Sequence, residues 1–120
     1  MYVTVDLLKS HNACQGQVDL FAATFPDGVQ VTEDVCFAVC LDFDWDWAAV
    51  NLLPPEALAE YNAKDAPIWA EYEAKRSPVW AEYKAKGFLA GYPTLLDRFW
   101  TEYRQQRAAL FGRIAENLGD

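Results

Sequence analysis

The sequence predicts a mainly α-helical protein, in which a small helical N-terminal subdomain, with at most one short pair of strands, precedes a long kinked antiparallel helical hairpin. Three observations lead to this fold class. Capping residues precede apolar residues at helical spacing in the first half. An eleven-residue repeat runs through residues 59–86, and a last apolar run follows a segment rich in glycine. We divide one compact domain into an acidic N-terminal region, 1–53, and a repeat-bearing hairpin, 54–120.

The first part of the chain predicts one helix between two short extended segments. Tyr2 to Val5 alternates in polarity and can begin a strand, and Val29 to Val31 is again short and extended. Ser10 is the expected N-cap of a helix over about residues 11–24. That helix must end at the sequence FPDG, because the residue before a proline disfavours helical angles and Asp-Gly favours a turn.

Two further short helices are predicted before residue 54. Thr32 is the expected N-cap of one, with Glu33 and Asp34 in its first turn, where negative charge is favoured by the helix dipole. Another begins within the run DFDWDW, for which Asp42 or Asp44 is the expected N-cap.

The eleven-residue repeat predicts one long helical arm. Residues 59–69 read AEYNAKDAPIW and residues 70–80 read AEYEAKRSPVW, which agree at seven of eleven positions. Eleven residues make three helical turns, so equivalent positions return to nearly the same face. In each unit Glu precedes Lys by four residues, a pairing typical of a solvated helix face. Pro67 and Pro78 each remove a backbone hydrogen bond, and we expect a kink or break at both.

The repeat places an aromatic stripe on one face of this arm. A core role, against the last helix, competes with a self-association surface, because two helices do not easily cover so wide a stripe. A homodimer is the expected assembly. The stripe consists of Leu58, Tyr61, Trp69, Tyr72, Trp80 and Tyr83.

The end of the chain predicts the second arm of the hairpin. Residues 87–93 are the expected reversal, and Thr94 is the expected N-cap of the last helix, with Asp97 completing a capping-box-like start. The apolar face of this helix is the natural partner of the stripe. It comprises Leu96, Phe99, Trp100, Tyr103, Leu110, Phe111, Ile114 and Leu118.

The charge of the chain is uneven and argues against two classes of partner. The net charge is −8, and residues 1–53 carry eight acidic residues against Lys9 alone, a balance of −7. Nucleic acids and anionic membrane surfaces are bound by Lys and Arg, so we expect neither direct nucleic-acid binding nor membrane binding. The sequence begins without the basic and apolar pattern of a secretion signal, which predicts a cytoplasmic protein with reduced thiols.

The candidates for chemistry are few. His11, Cys14, Cys36 and Cys40 have spacings that could supply zinc ligands, but Cys36 and Cys40 fall on a face already assigned to the core, which is the favoured interpretation. His11 has no evident nucleophile and orienting acid beside it, and the sequence has no glycine-rich phosphate loop. We therefore predict a protein that is not an enzyme and has no cofactor and no metal.

The acidic and aromatic residues from 33 to 47 have two interpretations. They cap helices and form a solvated negative surface, or they face a basic groove on a partner protein, with Trp45 or Trp47 as the desolvated anchor. The candidate partner-binding residues are Glu33, Asp34, Asp42, Asp44, Trp45, Asp46 and Trp47.

Three segments carry a resemblance to a known group of proteins: ACQGQVDLFAATFPDGVQVTEDVC, FDWDWAAVNLLP and the AEYxAK repeat. Together they resemble a loose group of small uncharacterised phage and prophage proteins, from which no functional residue can be transferred. Small acidic phage proteins without catalytic residues are similar in size and charge to inhibitors of host defence, such as anti-CRISPR proteins that occlude a basic nucleic-acid-binding surface.

This resemblance leads to a function hypothesis with two alternatives. The leading hypothesis is a non-catalytic accessory protein that binds a host protein or complex, such as a CRISPR effector, in the host cytoplasm. The first alternative is a structural or assembly protein that forms a homo-oligomer through its repeat helices. The second is a zinc-stabilised regulator.

Overall fold

The computed structural model describes residues 1–86 and 92–118, and the side chains of Tyr92 and Pro93 are outside this description. Six helices and one two-stranded sheet occur in the described part, which confirms the mainly helical fold class. The molecule measures 50 × 30 × 24 Å. In chain order the elements are β1 (Tyr2–Val3), α1 (Val5–Ser10), α2 (Gln15–Thr24), β2 (Val29–Gln30), α3 (Glu33–Ala38), α4 (Trp45–Leu52), α5 (Pro55–Lys86) and α6 (Tyr92–Leu118).

The two short extended segments form the one strand pair that the sequence allowed. β1 and β2 are antiparallel, with Tyr2 opposite Gln30 and Val3 opposite Val29. Gly28 precedes β2 with a φ of 86°, and an added Cβ there would lie 2.9 Å from the Val3 carbonyl oxygen. This turn therefore requires glycine, because other residues rarely adopt that conformation.

The prediction of Ser10 as an N-cap was wrong, because an additional helix occupies residues 5–10. Thr4 caps α1 by accepting a hydrogen bond from the Leu7 N–H at 3.1 Å, and the Ser10 hydroxyl donates to the Leu7 carbonyl within the same helix. Asn12, with a φ of 60°, then redirects the chain. Helix α2 starts at Gln15, and its N-cap, Cys14, makes no side-chain capping bond.

The other two predicted caps of the N-terminal region are confirmed. The Thr32 hydroxyl accepts from the Val35 N–H at 3.1 Å and begins α3. The Asp44 carboxylate accepts from the Trp47 N–H at 3.1 Å and begins α4. Both bonds satisfy backbone donors that a helix cannot satisfy internally.

Helix α5 is continuous from Pro55 to Lys86, so neither Pro67 nor Pro78 breaks it. Each proline costs about 3 kcal/mol in a helix interior. Packing offsets this cost, because Trp69 and Tyr72, between the two prolines, contact rings of α6. The predicted Glu–Lys pairs form along the helix, with Nζ–Oε distances of 2.7, 3.1 and 2.7 Å.

The predicted start of the last helix was wrong by three residues, because an N-cap at Thr94 places the first helical residue at 95. Helix α6 already begins at Tyr92, so Thr94 lies inside the helix and is not its N-cap. Most of the predicted reversal, residues 87–91, lies outside the described residues. Helices α5 and α6 pack against each other, as the hairpin prediction required.

The C-terminal half of α6 lies at the centre of the core. Helix α3 crosses it so closely at Gly112 that an added Cβ would lie 2.6 Å from the Thr32 carbonyl oxygen. At the same crossing, the Glu33 N–H donates to the Glu116 carboxylate at 2.6 Å. This bond satisfies one of the backbone donors in the first turn of α3, which have no partner within the helix. The buried hydrophobic side chains of α6 are those of Tyr103, Ala108, Leu110, Phe111, Ile114 and Ala115.

No helix within the described ranges has the length and apolar character needed to cross a membrane.

Candidate functional site

The acidic and aromatic run 42–47 is divided between the core and the surface. Trp45 is 6% exposed, and its indole N–H donates to the Cys40 carbonyl at 2.8 Å, so this ring belongs to the core and is not accessible to a partner. Trp47 is half-buried and packs against the core. The carboxylates of Asp42, Asp44 and Asp46 are exposed.

These carboxylates border a depression of about 460 Å³ between the run and helix α6. Leu41, Asp42, Asp44 and Asp46 line one side of it, and α6 contributes Trp100, Arg104 and Arg107. Leu41 is 54% exposed and Trp100 is 41% exposed. We call this surface the acidic–aromatic depression, since it combines exposed apolar side chains with carboxylates.

Arg104 attaches the acidic run to α6. Its Nε donates to the Cys40 carbonyl at 3.2 Å, and its Nη2 donates to the Phe43 carbonyl at 2.6 Å. Both carbonyls lie in the segment between α3 and α4, and the guanidinium supplies hydrogen-bond donors for them. The guanidinium carbon also lies 5.8 Å from the centroid of the Trp100 ring. One side chain thus fixes both walls of the depression.

Arg107 joins three helices beneath the depression. It binds Asp65 of α5 with two hydrogen bonds, of 3.0 and 2.9 Å, and Asp46 of α4 with one of 2.9 Å. Its guanidinium lies over the Tyr103 ring, 4.5 Å from the centroid. Arg107 and Asp65 are only 16% and 15% exposed, and such a paired, hydrogen-bonded arrangement is what a nearly buried charge requires.

Tyr61 adds a neutral donor to this network. Burial raises its pKa above the usual tyrosine value, nearby Arg107 lowers it, and the Asp46 and Asp65 carboxylates raise it further. The hydroxyl therefore stays protonated and donates to Asp46 at 3.4 Å. Asp46 thus takes part in the fold as well as in the surface, since it remains 61% exposed.

The aromatic stripe of α5 changes its environment along the helix. Leu58 packs against the core, and Tyr61 is 1% exposed. Trp69 and Tyr72 contact Tyr103 of α6, with ring centroids 5.4 and 5.0 Å apart.

Two tryptophans of this stripe nevertheless remain partly exposed. Trp69 is 44% exposed and Trp80 is 38% exposed. Trp80 stacks on Tyr83, with ring centroids 5.6 Å apart and an interplanar angle of 17°. The stripe therefore contributes to the core at one end and presents indole rings to solvent further along.

Glu33 and Asp34 lie apart from the other predicted partner-binding residues. Glu33 borders a different depression, together with Phe37 and Arg113, and its carboxylate lies 3.4 Å from the Arg113 guanidinium. Asp34 is exposed in the first turn of α3. The structure therefore brings Asp42, Asp44 and Asp46 together at one depression without Glu33 or Asp34.

The cysteines do not assemble with His11. Cys14 is exposed, whereas Cys36 and Cys40 are buried. Burial, with the Glu116 charge as a smaller cause, raises the pKa of the Cys36 thiol to about 12, and burial also raises the pKa of Cys40. Within residues 1–86 and 92–118, no three His, Cys, Asp or Glu side chains converge as metal ligands would. The zinc-stabilised alternative thus has no ligand cluster in this part.

Sequence reasoning missed the arginines of the depression. A signal was present, because Trp100, Tyr103, Arg104 and Arg107 share one face of α6 at spacings of three and four residues. Two arginines on a face with aromatic residues indicate carboxylates on a neighbouring element, since a partly buried guanidinium needs them.

Comparisons with known proteins add no relative: no family model, curated protein or solved structure matches the chain.

Proposed function

We propose that this protein is a non-catalytic binding protein that attaches to a basic surface of a partner protein through the acidic–aromatic depression. The observation that supports this most strongly is the exposed Trp100 and Leu41 beside three carboxylates, on walls fixed by Arg104 and Arg107. Energetically dominant interface residues are enriched in tryptophan and are surrounded by polar residues that exclude water. Trp100 replaces Trp45 as the proposed anchor, and Trp47 is not among the residues that line the depression.

The charge of the depression favours a partner rich in Lys and Arg. Its lining has three carboxylates and two guanidinium groups, which leaves a net charge of −1, and Asp65, which pairs with Arg107, lies outside the lining. The −7 balance of residues 1–53 extends this field around it. Complementary charge accelerates encounter and fixes orientation more than it adds affinity.

The sharpest form of this proposal is inhibition of a host defence system. A basic surface that binds nucleic acid also attracts an acidic protein, because Lys and Arg charges hold both. The resemblance to phage proteins supports a host protein or complex as the partner, with a CRISPR effector as one example. In this form the protein occupies the nucleic-acid groove and thereby excludes the nucleic acid.

The test uses two pairs of matched variants. Asp42→Lys reverses a charge at the depression, and Asp27→Lys makes the same change in the turn before β2. Trp100→Ala removes the proposed anchor, and Phe37→Ala removes an aromatic ring of similar exposure on α3, outside both proposed surfaces. Asp44 and Asp46 are left unchanged because they cap α4 and bind Arg107.

Each variant is immobilised and exposed to a bacterial lysate, and the captured proteins are quantified by mass spectrometry. We expect Asp42→Lys and Trp100→Ala to reduce capture of a specific protein at least tenfold, while the two controls retain it. A nucleic-acid oligonucleotide should displace that protein in a dose-dependent way. Equal capture by all four folded variants would contradict the assignment of the depression.

A second proposal, self-association, rests on Trp69 and Trp80. These rings are eleven residues apart, so they lie on nearly the same face of α5, and both are more than one third exposed. Light scattering should then show a dimer that the double variant Trp69→Ala, Trp80→Ala converts to a monomer. A wild-type monomer at high micromolar concentration would exclude this assembly.

A further inference from the structure

A second, apolar space lies inside the N-terminal region and shares Gln17, Phe43, Asp44 and Trp45 with the lining of the acidic–aromatic depression. This cavity has a volume of about 400 Å³ and is enclosed by the two strands and by helices α1, α2, α3, α4 and α6. Val3, Leu8, Phe21, Cys36, Trp45 and Phe111 are among its lining residues. Each of these six is a buried member of the core cluster, so the cavity penetrates the core.

The size of the cavity is that of a ligand site. Close-packed protein interiors contain few voids larger than a water molecule, whereas small-molecule sites measure roughly 300–1,000 Å³. An apolar cavity of about 150 Å³ accommodates a benzene molecule. The space here is more than twice as large. Phe25, Val39 and Ala48 line it and pack against the core while remaining only partly buried, so they offer apolar surface that an occupant would cover.

The polar side chains of the cavity mark its mouth. Asn12, Gln17 and Asp44 are the polar residues of its lining, and Asn12 and Asp44 are exposed to solvent. Gln17 bridges α2 to the acidic run, because its amide nitrogen donates to the Asp42 carbonyl at 3.2 Å and its amide oxygen accepts from the Asp44 N–H at 3.2 Å. The remaining lining consists of apolar and aromatic side chains and the thiols of Cys14 and Cys36.

We infer that this cavity binds one small, uncharged, apolar molecule, with an aliphatic chain inside and a neutral hydrogen-bonding group at the mouth beside Asn12 and Gln17. No Lys, Arg or His is among the residues that line the cavity in the described part of the chain, so an anionic ligand would meet no opposite charge there. The one carboxylate of the lining, Asp44, already accepts from the Trp47 N–H. An anionic head group is disfavoured, because the Asp44 carboxylate lies at the mouth and Asp42 is close by. A fatty alcohol fits these requirements better than the corresponding fatty acid.

The experiment uses decanol as the probe and decanoate as its charged counterpart. Decanol is titrated into protein labelled with ¹³C at methyl groups. Methyl resonances of Leu8, Val39 and Ala48 should shift and saturate, whereas those of Ile114, buried outside the cavity lining, should not. Calorimetry should give a negative heat-capacity change, the sign of apolar burial. Decanoate at neutral pH should bind at least tenfold more weakly.

A filled cavity supplies the control. Ala48→Phe places a ring in the space and should abolish the decanol-induced shifts, whereas Ala74→Phe on the exposed face of α5 should preserve them. If Ala48→Phe does not fold, the titration of the wild-type protein alone tests whether decanol binds in the cavity. Absence of saturable shifts up to the solubility limit of decanol would overturn the inference, and so would equal shifts at Ile114. Equally tight binding of decanoate would overturn the assignment of a neutral head group.

Discussion

Replacement of Gly112 by alanine tests the packing that positions the N-terminal region on α6. The added Cβ would lie 2.6 Å from the Thr32 carbonyl oxygen and 2.7 Å from the Glu33 Cα. Both are backbone atoms at the start of α3, so neither can rotate away as a flexible side chain would. Helix α3 must therefore move away from α6 to accept even one methyl group.

The size of the effect follows from three contributions. Overpacking of a well-packed contact costs about 1–3 kcal/mol. The displacement also weakens the 2.6 Å bond from the Glu33 N–H to the Glu116 carboxylate, a class of bond that contributes about 1.5–3 kcal/mol. Alanine regains about 1 kcal/mol of helix propensity. We expect the free energy of unfolding to fall by about 2–4 kcal/mol, which lowers Tm by on the order of 10 °C in a domain of this size.

The assay is thermal and urea unfolding followed by far-ultraviolet circular dichroism. Gly16→Ala is the matched control, because Gly16 lies in α2 and an added Cβ there meets no atom within 4 Å. The control should raise the free energy of unfolding by up to about 1 kcal/mol. The reasoning is refuted if Gly112→Ala is as stable as Gly16→Ala.

Three further predictions concern buried polar groups. Arg107→Met should lower the free energy of unfolding, measured in urea, by about 3–5 kcal/mol, because the nearly buried Asp65 carboxylate loses its cation. The double variant Arg107→Met, Asp65→Leu should regain most of this loss. In mildly alkaline buffer, a thiol reagent should modify Cys14 rapidly, and it should modify Cys36 and Cys40 only after the protein unfolds, as measured by mass spectrometry. Rapid modification of Cys36 in the folded protein would contradict its burial. The pKa of Cys36 rises from 9.0 to about 12 on folding, so the thiol loses its proton at lower pH in the unfolded chain than in the folded protein. The free energy of unfolding should therefore fall as the pH rises between these values, by up to about 1.4 kcal/mol per pH unit. Cys36→Ala should make that slope shallower in urea titrations at successive pH values, and the remaining slope comes from Cys40 and Tyr61, whose pKa values are also raised.

Local chemistry explains why some elements could be predicted from the sequence. Thr32 and Asp44 begin α3 and α4 because the side-chain oxygen of each accepts a hydrogen bond from the backbone N–H three residues later. This bond is local and does not depend on the rest of the fold. Ser10 and Thr94 have the same chemistry but lie inside helices. Thr4 begins α1 before Ser10 is reached, so capping preference alone did not specify which of the two residues starts a helix.

The continuity of α5 depended on contacts that the sequence does not specify. The local penalty at Pro67 and Pro78 argues for breaks, whereas rings placed between them pack on α6. Tertiary packing therefore outweighs a local rule. The same limitation applies to the site, because Trp100 and Arg104 become neighbours of the acidic run only when α6 crosses α3 and α4.

The two interpretations of the acidic run are compatible in the structure, because they apply to different oxygens and residues. Asp44 uses one carboxylate oxygen to cap α4, and Asp46 binds Arg107 and Tyr61 while 61% exposed. Asp42 has no hydrogen-bonded or ion-paired side-chain partner in the described part of the chain. Capping and ion pairing thus hold the run in place and leave negative charge on the surface. For that reason Asp42 is the residue of the run at which the charge can be reversed with the least effect on folding. If Asp42→Lys loses binding to the partner while its Tm is unchanged, the Asp42 charge acts in partner recognition and not in the stability of the fold.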